Sequence, residues 1–181
     1  SRRDEEIERA VGVARSLSVG PGIDRTESGA NMGAMVSEAQ RDRAASMVSA
    51  AEAQGARVMT GGRKMNIPGA FLEPTVLGDV TPDMTIAQEE VFGPVLCIIP
   101  FEDEAEAISI ANDTDYGLVA AIWTRDGGRQ QRVSKAMHCG QVFINGYGAG
   151  GGVELPFGGI RKSGHGREKG FAALHEFSHI K

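Results

Sequence analysis

Val95-Leu96-Cys97-Ile98-Ile99-Pro100-Phe101 is the most apolar stretch of the 181-residue sequence, and the pattern that follows it decides the fold class. Four to eight apolar residues closed off by proline read as a strand, and one this apolar is expected to be buried on both faces. Glu102 to Asn112 then carries a helical pattern, Val119 to Thr124 a strand, Asp126 to about His138 a helix, and Gln141 to Asn145 a strand. This β-α-β-α-β alternation implies right-handed crossovers and a mainly parallel sheet covered by helices on both sides, a three-layer αβα architecture of the α/β class.

Upstream of that run, Ile7, Val11, Ala14 and Leu17 recur at three- and four-residue steps, with Glu5, Glu6, Glu8, Arg9 and Arg15 between them. The spacing predicts an amphipathic helix over Asp4 to Leu17. Val19 to Met35, rich in Gly and polar turn formers, reads as a loop. Ser37 is placed to cap a second helix that reaches Gln54, with Gly55 closing it. Arg57 to Thr60 and Phe71 to Leu77 are β candidates, and Pro82 interrupts regular structure until Val95.

Downstream, 11 of the 31 positions from Gly140 to Gly170 are glycine. That density calls for sharp turns or close backbone approach. The tail from Leu174 to Lys181 reads as strand or helix; as a strand it has no obvious partner in this chain and would pair with another.

Composition narrows the class. Nineteen Lys and Arg against 24 Asp and Glu give a net charge of −5, with no basic stripe, which excludes a general nucleic-acid binder. The longest uninterrupted apolar run, Val95 to Ile99, is far below the ~20 residues of a membrane-crossing helix. Behind Arg2 and Arg3 there is no apolar segment of the kind a secretory signal needs. The absence of an initiator Met suggests a fragment. Two cysteines, Cys97 and Cys139, make neither a disulfide framework nor a metal spacing, so the cytoplasm is the expected compartment.

Three short motifs invite functional readings that their surroundings oppose. Gly146 to Gly151 fits G-x-G-x-x-G after a strand, yet Gly152-Val153-Glu154-Leu155-Pro156 is too broken to begin the helix whose N-terminus would receive a pyrophosphate. His175-Glu176-Phe177-Ser178-His179 fits H-E-x-x-H, but only Ile180 and Lys181 remain to supply a third zinc ligand, and two solvated histidines on a terminal strand are the simpler reading; no metal is expected. Cys139 sits beyond the C-terminal end of a helix, where the dipole raises a thiol pKa, partly offset by Lys135 and His138; Cys97 reads as a core residue.

Gln88-Glu89-Glu90-Val91-Phe92-Gly93-Pro94 places two carboxylates and an aromatic ring in a loop just before the buried strand. A carboxylate there can accept charge-assisted hydrogen bonds from vicinal hydroxyls, and a ring two residues on can pack against a planar group. This segment resembles the E-E-V-F-G-P motif of the NAD(P)-dependent aldehyde dehydrogenase superfamily. Phe71-Leu72-Glu73-Pro74-Thr75, Ala111-Asn112 with Tyr116-Gly117-Leu118, Gly140 to Asn145, and the signature from Pro156 to Gly170 are similar to further motifs of that family and fall in its order.

The resemblance implies a cytoplasmic enzyme that oxidises a small-molecule aldehyde to a carboxylic acid with NAD or NADP, through a cysteine thiohemiacetal and thioester. It also implies that the nucleophilic Cys, the Glu base and the dinucleotide-binding domain lie upstream of this chain. Residues 1–145 then correspond to part of the catalytic domain, and 146–181 to a glycine-rich loop and C-terminal oligomerisation strand that makes a homodimer or homotetramer. No catalytic residue is expected in the chain itself. By the same resemblance Glu90 is the ribose-binding carboxylate, Phe92 positions the nicotinamide, and Gln40 contacts the cofactor from the second helix. Arg43, one turn after Gln40, stands where relatives carry Lys and reaches toward the same ribose. Phe157 lines the aldehyde entrance. The alternative is a truncated, inactive homologue that serves as an oligomerising or regulatory subunit.

Overall fold

In the computed structural model, which describes residues 2–22, 29–148, 152–179 and 181, the chain forms two compact units, residues 1–100 and 101–181. In the first unit, helix α1 (Arg2–Ser16) is followed by α2 (Glu38–Ala53), strands β1 (Arg57–Thr60) and β2 (Thr75–Gly78), the single-turn helix α3 (Thr85–Gln88) and strand β3 (Val95–Cys97). Each boundary has a local cause. The Ser37 hydroxyl accepts from the Gln40 amide at 3.2 Å, capping α2. At its other end Gly55 takes φ +109°, a left-handed conformation that suits glycine after a helix.

The sheet of this unit has the order β1-β2-β3, with β1 antiparallel and β3 parallel to β2. Strand β2 is central and buried throughout, and Leu77, Val76 and the preceding Leu72 are at most 2% exposed. Ala44, Val48 and Ala51 of α2 pack into the same core as Leu72, Leu77, Val80, Met84, Ile86 and Val91. Small residues on the buried stripe of α2 bring its backbone close to the sheet. The long β1-β2 connection is tied back to α2 by Asp42, whose carboxylate meets Lys64 at 2.9 Å and Arg41 at 2.8 Å and is held below the usual carboxylate range, chiefly by Lys64.

Two expectations for this unit are corrected. The apolar run is a strand only over Val95–Cys97, and it is not covered on both faces: Val95 and Cys97 pack against the core while Leu96 between them is 52% exposed. Side chains alternate across a strand, and the face carrying Leu96 is open. Cys97 is accordingly half-buried, with its thiol pushed up by that burial.

The second unit contains α4 (Glu104–Asn112), β4 (Val119–Ile122), α5 (Gly127–Ala136), β5 (Gln141–Ile144), a single 3₁₀ turn at Arg161–Ser163 and the short helix α6 (Ala172–Glu176). Asp103 and Asp126 cap α4 and α5 through the amides of Glu106 at 2.9 Å and Arg129 at 3.0 Å. Strands β4 and β5 are parallel, as a β-α-β crossover requires, and pair from Val119↔Gln141 to Ile122↔Ile144. Beyond their ends Asn145, at φ +51°, donates from Nδ2 to the Thr124 carbonyl and accepts from the Thr124 amide, both at 2.9 Å. Asn tolerates this left-handed backbone, and its amide then closes the end of the two-stranded ladder.

The single continuous sheet expected from the alternation is thus two sheets, with β3 in one and β4 in the other. The tail, read as strand or helix, is helical in part. Ala172–Glu176 is a helix, and Phe177 to His179 have no strand partner among the described residues. A lone strand leaves its backbone groups without a ladder, whereas a helical turn satisfies them locally. Because α6 stops at Glu176, His175 and His179 do not share a helical face. Among the described residues no group of three His, Cys, Asp or Glu side chains gathers to hold a metal ion, and no helix is long and apolar enough to cross a membrane. The second half of the G-x-G-x-x-G stretch, residues 149–151, lies outside the described residues, as does Ile180 in the tail.

Candidate functional site

The loop between α3 and β3 alternates in burial. Glu90 points outward, Val91 inserts into the core at 9% exposure, and Phe92 points outward again at 70%. Phe92 has φ +52°, a left-handed backbone that costs a non-glycine residue roughly 1–2 kcal/mol. Surrounding contacts must hold it there. Helix α2 supplies them. Gln40 Nε2 donates to the carbonyls of Val91 at 2.9 Å and Phe92 at 3.2 Å. Arg43 Nη1 donates to the carbonyls of Glu90 at 3.1 Å and Val91 at 3.2 Å, while its Nη2 meets the Glu89 carboxylate at 3.4 Å.

The far end of α2 grips the start of the same segment. Gln54, its C-cap residue, donates to the Thr85 hydroxyl and accepts from the Thr85 amide, both at 3.3 Å. After the loop, Gly93 lies directly against α2, where a Cβ would stand 3.2 Å from that of Ala44 and 3.1 Å from Met35 Cε. The glycine is therefore required by close approach. The Pro94 carbonyl then accepts from the Thr75 amide at 2.8 Å, bringing the chain into register beside β2.

Four of the residues expected at a cofactor site, Gln40, Arg43, Glu90 and Phe92, are thus brought together, in two different ways. Glu90 and Phe92 present their side chains outward, whereas the donors of Gln40 and Arg43 are engaged with the loop backbone. Glu89 is not among the expected residues; its ion pair with Arg43 joins two segments 46 residues apart, which no local pattern reveals. A cavity of about 430 Å³ in this unit, lined by residues that include Glu52, Arg63 and Glu73, contains none of the four.

Phe157, expected at the aldehyde entrance, lies in the second unit. It exchanges two backbone hydrogen bonds of 2.7 Å with Glu168, and the Lys169 ammonium stands 5.6 Å from the centre of its ring, within cation–π range. The glycines around it serve close packing: a Cβ on Gly140 would overlap the Gly158 carbonyl oxygen. The following turn docks on Asn112 to Gly117. There Arg161 donates to the carbonyls of Asn112 and Thr114, the Ile160 amide to the Gly117 carbonyl at 3.0 Å, and the Gly117 amide to the Ser163 hydroxyl at 3.0 Å.

Cys139 is half-buried. Its thiol donates to the Gln141 carbonyl at 3.2 Å, and burial raises its pKa; the direction is the expected one, but desolvation is the leading cause.

The chain belongs to the aldehyde dehydrogenase family, whose model matches residues 1–181. Betaine aldehyde dehydrogenase from Sinorhizobium fredii is 44% identical over 161 residues, covering 87% of this chain and 33% of the relative. That from Brucella anthropi is 43% identical over 183 residues, 99% of this chain and 37% of the relative. The chain therefore spans about a third of the length of the curated relatives it matches. Among solved structures, a Mycobacterium tuberculosis aldehyde dehydrogenase complexed with NAD+ superposes with TM-score 0.90 at 39% identity, over 97% of this chain and 36% of that one. The NAD+ complex of a Bacillus cereus aldehyde dehydrogenase gives 0.93 at 36% identity, over 99% and 36%.

Proposed function

We propose that the chain is the C-terminal part of an NAD(P)-dependent aldehyde dehydrogenase that oxidises an aldehyde to a carboxylic acid. In this reading Glu90 accepts hydrogen bonds from the ribose diol on the nicotinamide side of the cofactor, Phe92 packs against the nicotinamide, and Phe157 lines the aldehyde entrance. Residues 1–145 belong to the catalytic domain and 146–181 to a segment that joins subunits of a dimer or tetramer. The nucleophilic cysteine, the base and the dinucleotide-binding domain are contributed from outside this chain.

The outward display of Glu90 and Phe92 from an anchored loop carries the reading. A carboxylate is acceptor-only and suits two hydroxyl donors, and an exposed ring two residues away suits a planar heterocycle, so these two residues fit the cofactor. The cofactor supplies the hydride acceptor. What this chain contributes is orientation: Glu90 fixes the ribose and Phe92 limits where the adjoining ring can lie, a positioning effect on rate as well as affinity.

The test is Glu90→Gln in the full-length protein. Exchanging charge-assisted for neutral hydrogen bonds weakens them by about 1 kcal/mol, so the KM for the cofactor is expected to rise roughly fivefold. An unchanged KM and kcat would refute the role. The names of the relatives make betaine aldehyde the first substrate to assay.

A further inference from the structure

We propose that Gln141 is a positioning residue for Phe157: its side-chain amide fixes the main chain on which that ring is mounted. The anchor stands on geometry within the second unit; its consequence for the reaction rests on reading Phe157 as a wall of the aldehyde entrance.

Strand β5 begins against the segment that carries Phe157. Gly140 lets the Gly158 carbonyl come close, since a Cβ there would overlap it. The next residue, Gln141, reaches across with Nε2 and donates to the Pro156 carbonyl at 2.8 Å. Two successive residues at the start of β5 thus hold the residues on either side of Phe157. Phe157 itself exchanges two backbone bonds of 2.7 Å with Glu168, and the Gly159 carbonyl beyond it accepts from Arg167 Nη1 at 3.0 Å. On the other side, residues 152–156 form no strand or helix, and the Gln141 bond falls on the last of them.

The amide is aimed. A carbonyl only accepts, so Nε2 must face Pro156, and this turns Oε1 inward, where it is buried without a hydrogen-bond partner among the described residues. An unsatisfied buried acceptor is unfavourable, and an apolar side chain of the same length would avoid it. Stability is therefore a poor reason for an amide at this position, whereas holding the Pro156 carbonyl is a task only a donor can perform. That carbonyl lies in the planar peptide that leads into Phe157, so fixing it fixes the direction in which the ring leaves the backbone.

Two measurements test the anchor. In this chain, amide hydrogen exchange followed by NMR compares the Phe157 amide with that of Asn145, which donates to the Ile122 carbonyl at 2.8 Å just past the other end of β5. Gln141→Met keeps the length and removes both the donor and the buried acceptor. It is expected to speed exchange at Phe157 about fivefold relative to Asn145, the effect of losing one neutral hydrogen bond. Tm is expected to stay within about 2 °C of wild type, because removal of the unsatisfied acceptor offsets the lost bond. Gln141→Glu supplies the rescue, since a carboxyl donates only while protonated. Its Phe157-to-Asn145 ratio should be near wild type below the titration of the introduced carboxyl and raised above it. An unchanged ratio in Gln141→Met, or equal acceleration at both amides, overturns the anchor.

In the full-length enzyme, propanal and benzaldehyde probe the entrance. Gln141→Met is expected to change the ratio of their kcat/KM values about threefold, because a displaced ring meets the broader aldehyde differently, and to leave the KM for NAD+ unchanged. On top of Phe157→Ala the same change should leave the ratio where it is, since it acts through that ring. Equal effects in the two backgrounds overturn the positioning role. If Phe157→Ala alone leaves the ratio unchanged, the reading of Phe157 fails, and the exchange rates still decide the anchor.

Discussion

Replacing Gly93 with alanine probes the contact that seats the loop on helix α2. The backbone of Gly93 is not in the left-handed region, so the cost comes from space alone. The added methyl would stand 3.1 Å from Met35 Cε and 3.2 Å from Ala44 Cβ. Met35 ends in a flexible thioether and can swing away at little cost. Ala44 is fully buried on the core face of α2 and has no torsion to relieve the contact, so helix and loop must part by a few tenths of an ångström. Overpacking of this kind costs about 1–2 kcal/mol, the lower part of the usual range, and lowers the Tm of a chain this size by roughly 2–8 °C. A thermal melt followed by circular dichroism reads the change. The explanation has a sharper consequence in the double variant. Ala44→Gly alone costs about 1 kcal/mol of helix propensity, yet it removes the methyl that obstructs residue 93. The pair should therefore be less destabilised than the sum of the two single changes. Strict additivity, or a Gly93→Ala melt that coincides with wild type, would refute the reasoning.

Other changes test the remaining anchors. Ser37→Ala removes the N-cap of α2 and should cost about 1 kcal/mol in urea unfolding of the first unit. Asn145→Gly keeps the left-handed backbone but deletes both bonds to Thr124, and a loss of about 1–2 kcal/mol is expected by the same measurement. The Glu104 carboxyl is held at about 2, below its ordinary 4.5, first by Arg132 and then by Arg129. Its stabilising contribution is complete above pH 4.5 and is lost as pH falls toward about 2, so Glu104→Gln should flatten the decline of Tm across that window. An acid limb identical to wild type would remove Glu104 from its cause.

What can be read in the sequence follows the range of the interactions responsible. Ser37, Asp103 and Asp126 cap helices through amides three residues away, and Gly55 ends one through its own conformation, so these boundaries are legible. Helix α3 is not, since four residues after Pro82 contain no full period of a hydrophobic pattern. The run around Leu96 reads as buried on both faces because apolarity reports what a strand would tolerate, while burial depends on what packs against it. At the site, Glu90 and Phe92 stand out by chemistry and motif. The Gln40 donor crosses 51 positions to Val91, a relation that spacing on α2 suggests only as a shared face. That residues beside one another on a helix donate to the carbonyls of a distant loop requires the carbonyl positions.

Of the five strands among the described residues, only β2 has a hydrogen-bonded neighbour on each side. The other four each present one line of backbone donors and acceptors that no described strand pairs, beside side chains such as Leu96, at 52% exposure, and Ile144, at 39%. Unpaired edges are templates for further strands. In solution this makes concentration the variable that governs the behaviour of the chain. Concentrated samples should grow by edge-to-edge stacking, most readily near pH 5.4, where the net charge that keeps molecules apart vanishes.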